Sequence, residues 1–183
     1  MSLHDEYKHI VGTEIHRKAA VGNAWLMNVN YWAKLLEKIS GAKHEILTAQ
    51  YVINYQLRRR WHPSSKIVNA LIKKNSQEVP VKVLLDSSPK TSPNHNTNFF
   101  TSKRLTEAGI EVKMPAFQKP LHIKLTIIDG ITVFLGSHNI TDSSLTNPLE
   151  CTTIFTESET GQYFQHFFNN LWTTNLTKPW ERR

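Results

Sequence analysis

Cysteine is all but missing from this chain, with Cys151 alone among 183 residues. One thiol excludes an intrachain disulfide and any cysteine-built zinc site within a single chain. Long apolar runs are missing too. None approaches the roughly 18–20 residues of a membrane span, so no integral membrane segment is expected. Internal repeats are absent, and the only low-complexity stretch is Ser87 to Asn98 (SSPKTSPNHNTN). The start, Met1-Ser2-Leu3-His4-Asp5-Glu6, lacks the pattern of a signal peptide. As it stands the sequence reads as cytoplasmic; a removed N-terminal leader would make it periplasmic, secreted or membrane-anchored. Acidic residues are in deficit, 15 against 22 Lys and Arg, for a net charge of +7. That surplus favours anionic partners, nucleic acid or acidic lipid headgroups, without choosing between them. Hydrophobic content of 39% with 10% aromatics is too rich for a disordered chain. The length suits one domain with a full-sized core.

Hydrophobic spacing then places the elements. Tyr7 to Ile15 is expected to hold a short strand. Val29 to Ile39 puts Val29, Trp32, Leu35, Leu36 and Ile39 on one helix face, with Asn28 as N-cap and Gly41 as stop. Strands are expected at Glu45 to Ile53, Val79 to Asp86, Ile110 to Met114, Leu121 to Ile128, Ile131 to Leu135 and Glu150 to Thr156. Helices are expected at Ser65 to Asn75, Asn98 to Ala108 and Glu159 to Trp172. Asp129-Gly130 between two β-branched runs is a strong hairpin signal. Alternating strands and helices with a hairpin near the middle predict an α/β fold, a mixed sheet flanked by helices on both faces. Residues 1–42 read as an N-terminal strand and helix extension packed on a core domain spanning 43–183. The Ser87 to Asn98 run reads as a loop after a strand end, a common place for binding residues.

On a strand, His122 and Lys124 share one face while Ile123, Leu125 and Ile127 take the other. An imidazole and an ammonium therefore lie side by side. The hairpin returns to deliver Gly136-Ser137-His138-Asn139 at the end of the sheet, where small and amide side chains suit phosphate oxygens. Arg58-Arg59-Arg60-Trp61 follows the strand near Tyr55 and combines cations with an aromatic suited to base stacking. Lys73-Lys74 and Lys103-Arg104 read as solvated helix faces.

The run H-x-K-x-x-x-x-D (His122, Lys124, Asp129) followed by G-S-x-N (Gly136, Ser137, Asn139) resembles the signature of the phospholipase D superfamily. Glu150 stands where that family carries an acidic partner for the histidine. The likeness covers roughly residues 43 to 173 and extends to EILTAQY, VKVLLD, AGIEV and the closing helix. It implies a phospholipase D-like fold and a phosphodiesterase that needs no metal or other cofactor. His122 would attack phosphorus and form a phosphohistidine, and a second histidine would protonate the leaving alcohol and then activate water. Lys124 and Asn139, helped by Ser137, would hold the non-bridging oxygens. Glu150 would fix the tautomer of His122. Asp129 and Gly136 belong to the motif, but the hairpin already accounts for an Asp before Gly, so both are expected to be structural. Only one full motif is present: His16-Arg17-Lys18 repeats the H-x-K spacing, but Asn23 stands where the Asp would and no G-S-x-N follows at the matching distance. The second histidine is therefore expected from another copy of the chain in a homodimer. The short, basic, single-motif form resembles the Nuc-type endonucleases, which implies DNA or RNA as substrate. A cardiolipin-type phospholipid phosphodiesterase and a non-catalytic nucleic-acid-binding protein of the same fold are the alternatives.

Overall fold

Strand and helix alternate along the chain in a computed structural model that describes residues 24–27, 29–87, 90–116, 120–146, 149–174 and 176–181. In chain order these are β1 (Ala24–Met27), α1 (Val29–Gly41), β2 (Ile46–Gln50), α2 (Pro63–Asn75), β3 (Val81–Leu85), α3 (Pro93–Glu107) and β4 (Glu111–Pro115). They continue with β5 (Lys124–Ile128), β6 (Thr132–Gly136), α4 (Asp142–Thr146), β7 (Cys151–Phe155), α5 (Ser158–Thr173) and β8 (Thr177–Pro179). The strands form one mixed sheet in the order β1-β7-β6-β5-β2-β3-β4-β8. The pairs β2–β3 and β3–β4 are parallel and connected through α2 and α3; the other neighbours are antiparallel. The β5–β6 hairpin thus lies near the centre, as its sequence suggests. Asp129 (φ 55°) and Gly130 (φ 64°) both take the left-handed conformation at this turn, which the Ile131 amide closes on the Ile128 carbonyl at 3.2 Å.

The central strands are apolar almost without a break because helices cover both faces. Every residue of β2 and β5 is buried. Alternation splits their side chains into two cores. Ile46, Val81, Val83, Leu85, Ile128 and Phe134 face α1, α2 and α3, where they meet Leu35, Ile39, Ile67, Val68, Leu71 and Leu105. Leu47, Ala49, Leu84, Leu125, Ile127 and Val133 face α5 and pack on Phe168 and Trp172. Those two rings stack with centroids 5.7 Å apart. β1 pairs with β7 at one edge of this sheet, and α1 packs against α2.

Some local expectations need correction. The expected strand over Tyr7 to Ile15 and the Asn28 cap lie outside the described residues. In α1 the fully buried line is Tyr31, Leu35 and Ile39, while Trp32 and Leu36 sit at its border. The Ser87 to Asn98 run is not one loop, because α3 begins at Pro93. Ser92 caps it by accepting from the Asn94 amide at 3.2 Å, and proline at the first helical position sacrifices no hydrogen bond. The short elements β1, α4 and β8 have too few residues to show a period.

Candidate active site

β5 starts at Lys124, so His122 lies just ahead of the strand, beside the C-terminal ends of β2 and β3 where open α/β sheets place their ligands. The His122 ring is exposed, while Lys124 is only 8% exposed. The Lys124 ammonium is 2.9 Å from Nε2 of His122 and donates to the His122 carbonyl at 3.2 Å. An ammonium can only donate, so Nε2 must present its lone pair and the neutral ring carries its proton on Nδ1. Burial pushes the Lys124 pKa below its ordinary value, and the charge of Glu150 opposes that shift.

The support beneath this pair comes from residues remote in sequence. The Tyr51 ring lies 4.7 Å from the imidazole, and the Lys124 ammonium sits 5.1 Å over the same ring. Asn98 donates to the carbonyls of Tyr51 and Asp86 at 2.9 Å and accepts from the Ile53 amide. The Asp86 carboxylate in turn accepts from the Leu121 amide at 2.7 Å, fixing the residue before His122. On the strand itself Gln50 faces Lys124 and Thr48 faces Thr126. Their side chains form a buried polar line in which Oε1 of Gln50 has no partner.

The segment after β6 brings up the remaining groups. Gly136 is opposite Thr152, and a Cβ there would stand 2.3 Å from the Cys151 carbonyl, so β7 admits only glycine at this point. The Ser137 hydroxyl accepts from the Cys151 amide at 3.1 Å and donates to its carbonyl at 3.4 Å. His138 is fully buried, bonded through Nδ1 to Thr152 Oγ1 at 2.8 Å and stacked on Tyr31. Burial pulls its pKa down to about 4, against the pull of Glu150. The Asn139 amide donates to Ser144 Oγ, which donates to Glu150 at 2.9 Å, and Oδ1 of Asn139 is buried without a partner. His122, Lys124, Ser137, Asn139 and Glu150 thus come from one end of the sheet.

Asp129 lies at the other end, the length of β5 away, roughly 16 Å at the usual rise per residue. Its carboxylate accepts from the amides of Lys43, His44 and Glu45 at 2.7–3.2 Å, tying the hairpin turn to the start of β2. Arg58, Arg59, Arg60 and Trp61 are exposed on the turn between β2 and α2. The chain leading to that turn bridges the Asn139 segment: Asn54 donates to the Ile140 carbonyl at 2.8 Å, and Ile140 donates to that of Val52 at 3.1 Å. Tyr51, Gln50, Asn98 and Asp142 were not picked out from sequence. Among the described residues no group of three or more His, Cys, Asp or Glu is arranged to hold a metal ion. Nor is any described helix long and apolar enough to cross a membrane.

Comparison with known proteins gives the family and the fold. A family model described as cardiolipin synthase, PLD-like domain, matches residues 35–172. The major cardiolipin synthase ClsA of Bacillus subtilis is 34% identical over 122 residues, which is 61% of this chain and 23% of that protein. The chain therefore spans under a quarter of that relative's length. Among solved structures, the phospholipase D family member Nuc from Salmonella typhimurium superposes with a TM-score of 0.71 at 19% identity, covering 87% of this chain and 99% of that one. NucT from Helicobacter pylori gives 0.68 at 17% identity, covering 86% and 98%.

Proposed function

Because the chain belongs to the family of phospholipase D-like domains, we propose that it is a nuclease that hydrolyses DNA or RNA through a phosphohistidine, with no metal ion in the reaction. The observation that carries this reading is the Lys124 ammonium held against Nε2 of His122. It keeps the lone pair of the neutral imidazole on Nε2 and sets a buried cation beside it, where the ammonium can pass from the nitrogen to an arriving phosphate oxygen. Nε2 attacks phosphorus, the P–N bond forms, and the P–O bond to the leaving alcohol breaks. A second imidazole gives that oxygen its proton, then takes a proton from the water that cleaves the P–N bond. Lys124 and the side-chain amide of Asn139 bind the non-bridging oxygens and meet the charge that develops there. Ser137 joins them by releasing the Cys151 carbonyl. Glu150 accepts a hydrogen bond from Nδ1–H of His122 and so keeps the tautomer.

His138 is a poor acid for the first step, since with a pKa of about 4 it is almost entirely neutral near pH 7. That supports His122 of a second copy as the acid, in a homodimer whose site lies between the chains. The net charge of +7 and the exposed Arg58, Arg59, Arg60 and Trp61 support a nucleic acid substrate. The fold shared with Nuc and NucT supports it as well. A cardiolipin-type phospholipid is the second reading, favoured by the identity to a cardiolipin synthase.

The test is cleavage of labelled single-stranded DNA, duplex DNA and RNA in excess EDTA, with His122→Ala alongside and cardiolipin vesicles as a further substrate. Cutting of nucleic acid that survives EDTA and vanishes in the variant is the expected result. Hydrolysis of cardiolipin with every nucleic acid left intact would replace the nuclease reading with the lipid one.

A further inference from the structure

The turn Leu57–Trp61 is unusual in what it exposes. Leu57 is 60% and Trp61 67% accessible, and the three arginines between them point to solvent. Tryptophan normally buries most of its surface. This turn is nevertheless held firmly, because both its ends converge on the carboxylate of Asp142. Gln56 Nε2 donates to Oδ2 at 2.7 Å, and His62 Nδ1 contacts the same oxygen at 2.6 Å. Ser64 donates to Oδ1 through both its amide (3.2 Å) and its hydroxyl (2.7 Å). Ser65 Oγ accepts from the Gln56 amide and donates to the Gln56 carbonyl. Inside the turn, Arg59 donates to the Gln56 carbonyl and His62 to that of Arg59, each at 3.1 Å. The His62 ring meets the indole edge-on at 5.9 Å.

Asp142 follows Asn139 by three residues, in the segment that bridges Ile53. One carboxylate therefore ties an exposed, cationic, aromatic turn to the strand end that carries the candidate site. We infer that this turn is a stacking platform for unpaired nucleotides, positioned by Asp142, and that it makes the protein favour single-stranded over duplex nucleic acid. The inference rests on the nuclease reading for its substrate class. An indole face accepts a base only when that base is free of its own stack, so duplex gains little from Trp61. The arginines contact phosphates on either kind of strand without reading sequence. With only Leu57 and Trp61 apolar among five residues, the turn is better suited to a strand of nucleotides than to insertion in a lipid surface.

The experiment compares KM and kcat for a single-stranded oligonucleotide and its duplex across wild type, Trp61→Ala, Trp61→Phe and Asp142→Asn, with thermal melts to confirm folding. Alongside, anisotropy of a labelled oligothymidylate gives Kd without turnover. Trp61→Ala is expected to raise the single-strand KM and Kd about tenfold, with a much smaller change in kcat and in the duplex KM. Phenylalanine should restore most of the loss, and Asp142→Asn should reproduce the single-strand defect. If wild type binds the oligonucleotide but does not cut it, the nuclease reading fails, and a tenfold Kd effect of Trp61→Ala still upholds the platform. Unchanged single-strand KM and Kd in Trp61→Ala, or equal losses on single strand and duplex, would overturn it. So would wild-type binding to cardiolipin-containing vesicles, lost in Trp61→Ala, with no oligonucleotide bound. A folded Asp142→Asn protein with wild-type KM would overturn the positioning role of Asp142.

Discussion

At the scale of single residues, the account turns on which nitrogens carry protons. Lys124 and His122 share a surface where the ammonium's position dictates the neutral tautomer. His138, close by in sequence, is held neutral by burial. Its low pKa links pH to stability. In the unfolded chain a histidine protonates near pH 6.5, whereas folded His138 stays neutral down to about 4. Folding therefore carries no penalty from His138 above pH 6.5 and a growing one as pH falls from 6.5 towards 4, at most about 3 kcal/mol. Urea titrations across that range should show wild type losing more stability than His138→Gln; equal losses would mean that the imidazole is not responsible. The candidate residues His122, Lys124, Ser137, Asn139 and Glu150 could be read from sequence because their spacing along one stretch of chain forms the pattern. Tyr51, Asn98 and Asp142 could not, since their contacts join residues tens of positions apart, as in Asp142 with Gln56 and His62.

Among the elements, the β5–β6 hairpin carries the candidate site at one end and a structural knot at the other. Asp129 holds its left-handed φ and accepts three backbone amides from the link between α1 and β2. Asp129→Ala should cost about 2–3 kcal/mol of stability, from the lost acceptors and the strain of alanine in that region. Turnover below the melting range should stay near wild type, as measured by denaturant unfolding and kcat on the same preparation. A collapse of kcat with unchanged stability would move Asp129 into the chemistry. The long elements were legible because period-two and helical spacing persist across them, and Asp129-Gly130 names its own turn. Pro93 misled in the other direction: a run rich in Pro, Ser and Asn looks like a loop, yet Ser92 and Pro93 supply a cap and a first helical position. β1 and β8 exist through pairing with β7 and β4, partners that no local pattern reveals.

For the whole molecule, one motif per chain sets the question of how a two-histidine reaction is completed. A homodimer with a shared site predicts that exchange of subunits with His122→Ala silences wild-type chains. In an equimolar, fully exchanged mixture, activity should fall to about a quarter of that of the same total amount of wild type; independently working chains would give about half. The most direct test of the central claim is to look for the covalent intermediate. The protein would be mixed with labelled single-stranded DNA, quenched with alkali during turnover, and digested for mass spectrometry. The account predicts a phosphoryl-linked nucleotide adduct on the peptide bearing His122, absent from His122→Ala. Turnover with no adduct on that peptide, and with undiminished cutting by His122→Ala, would contradict it.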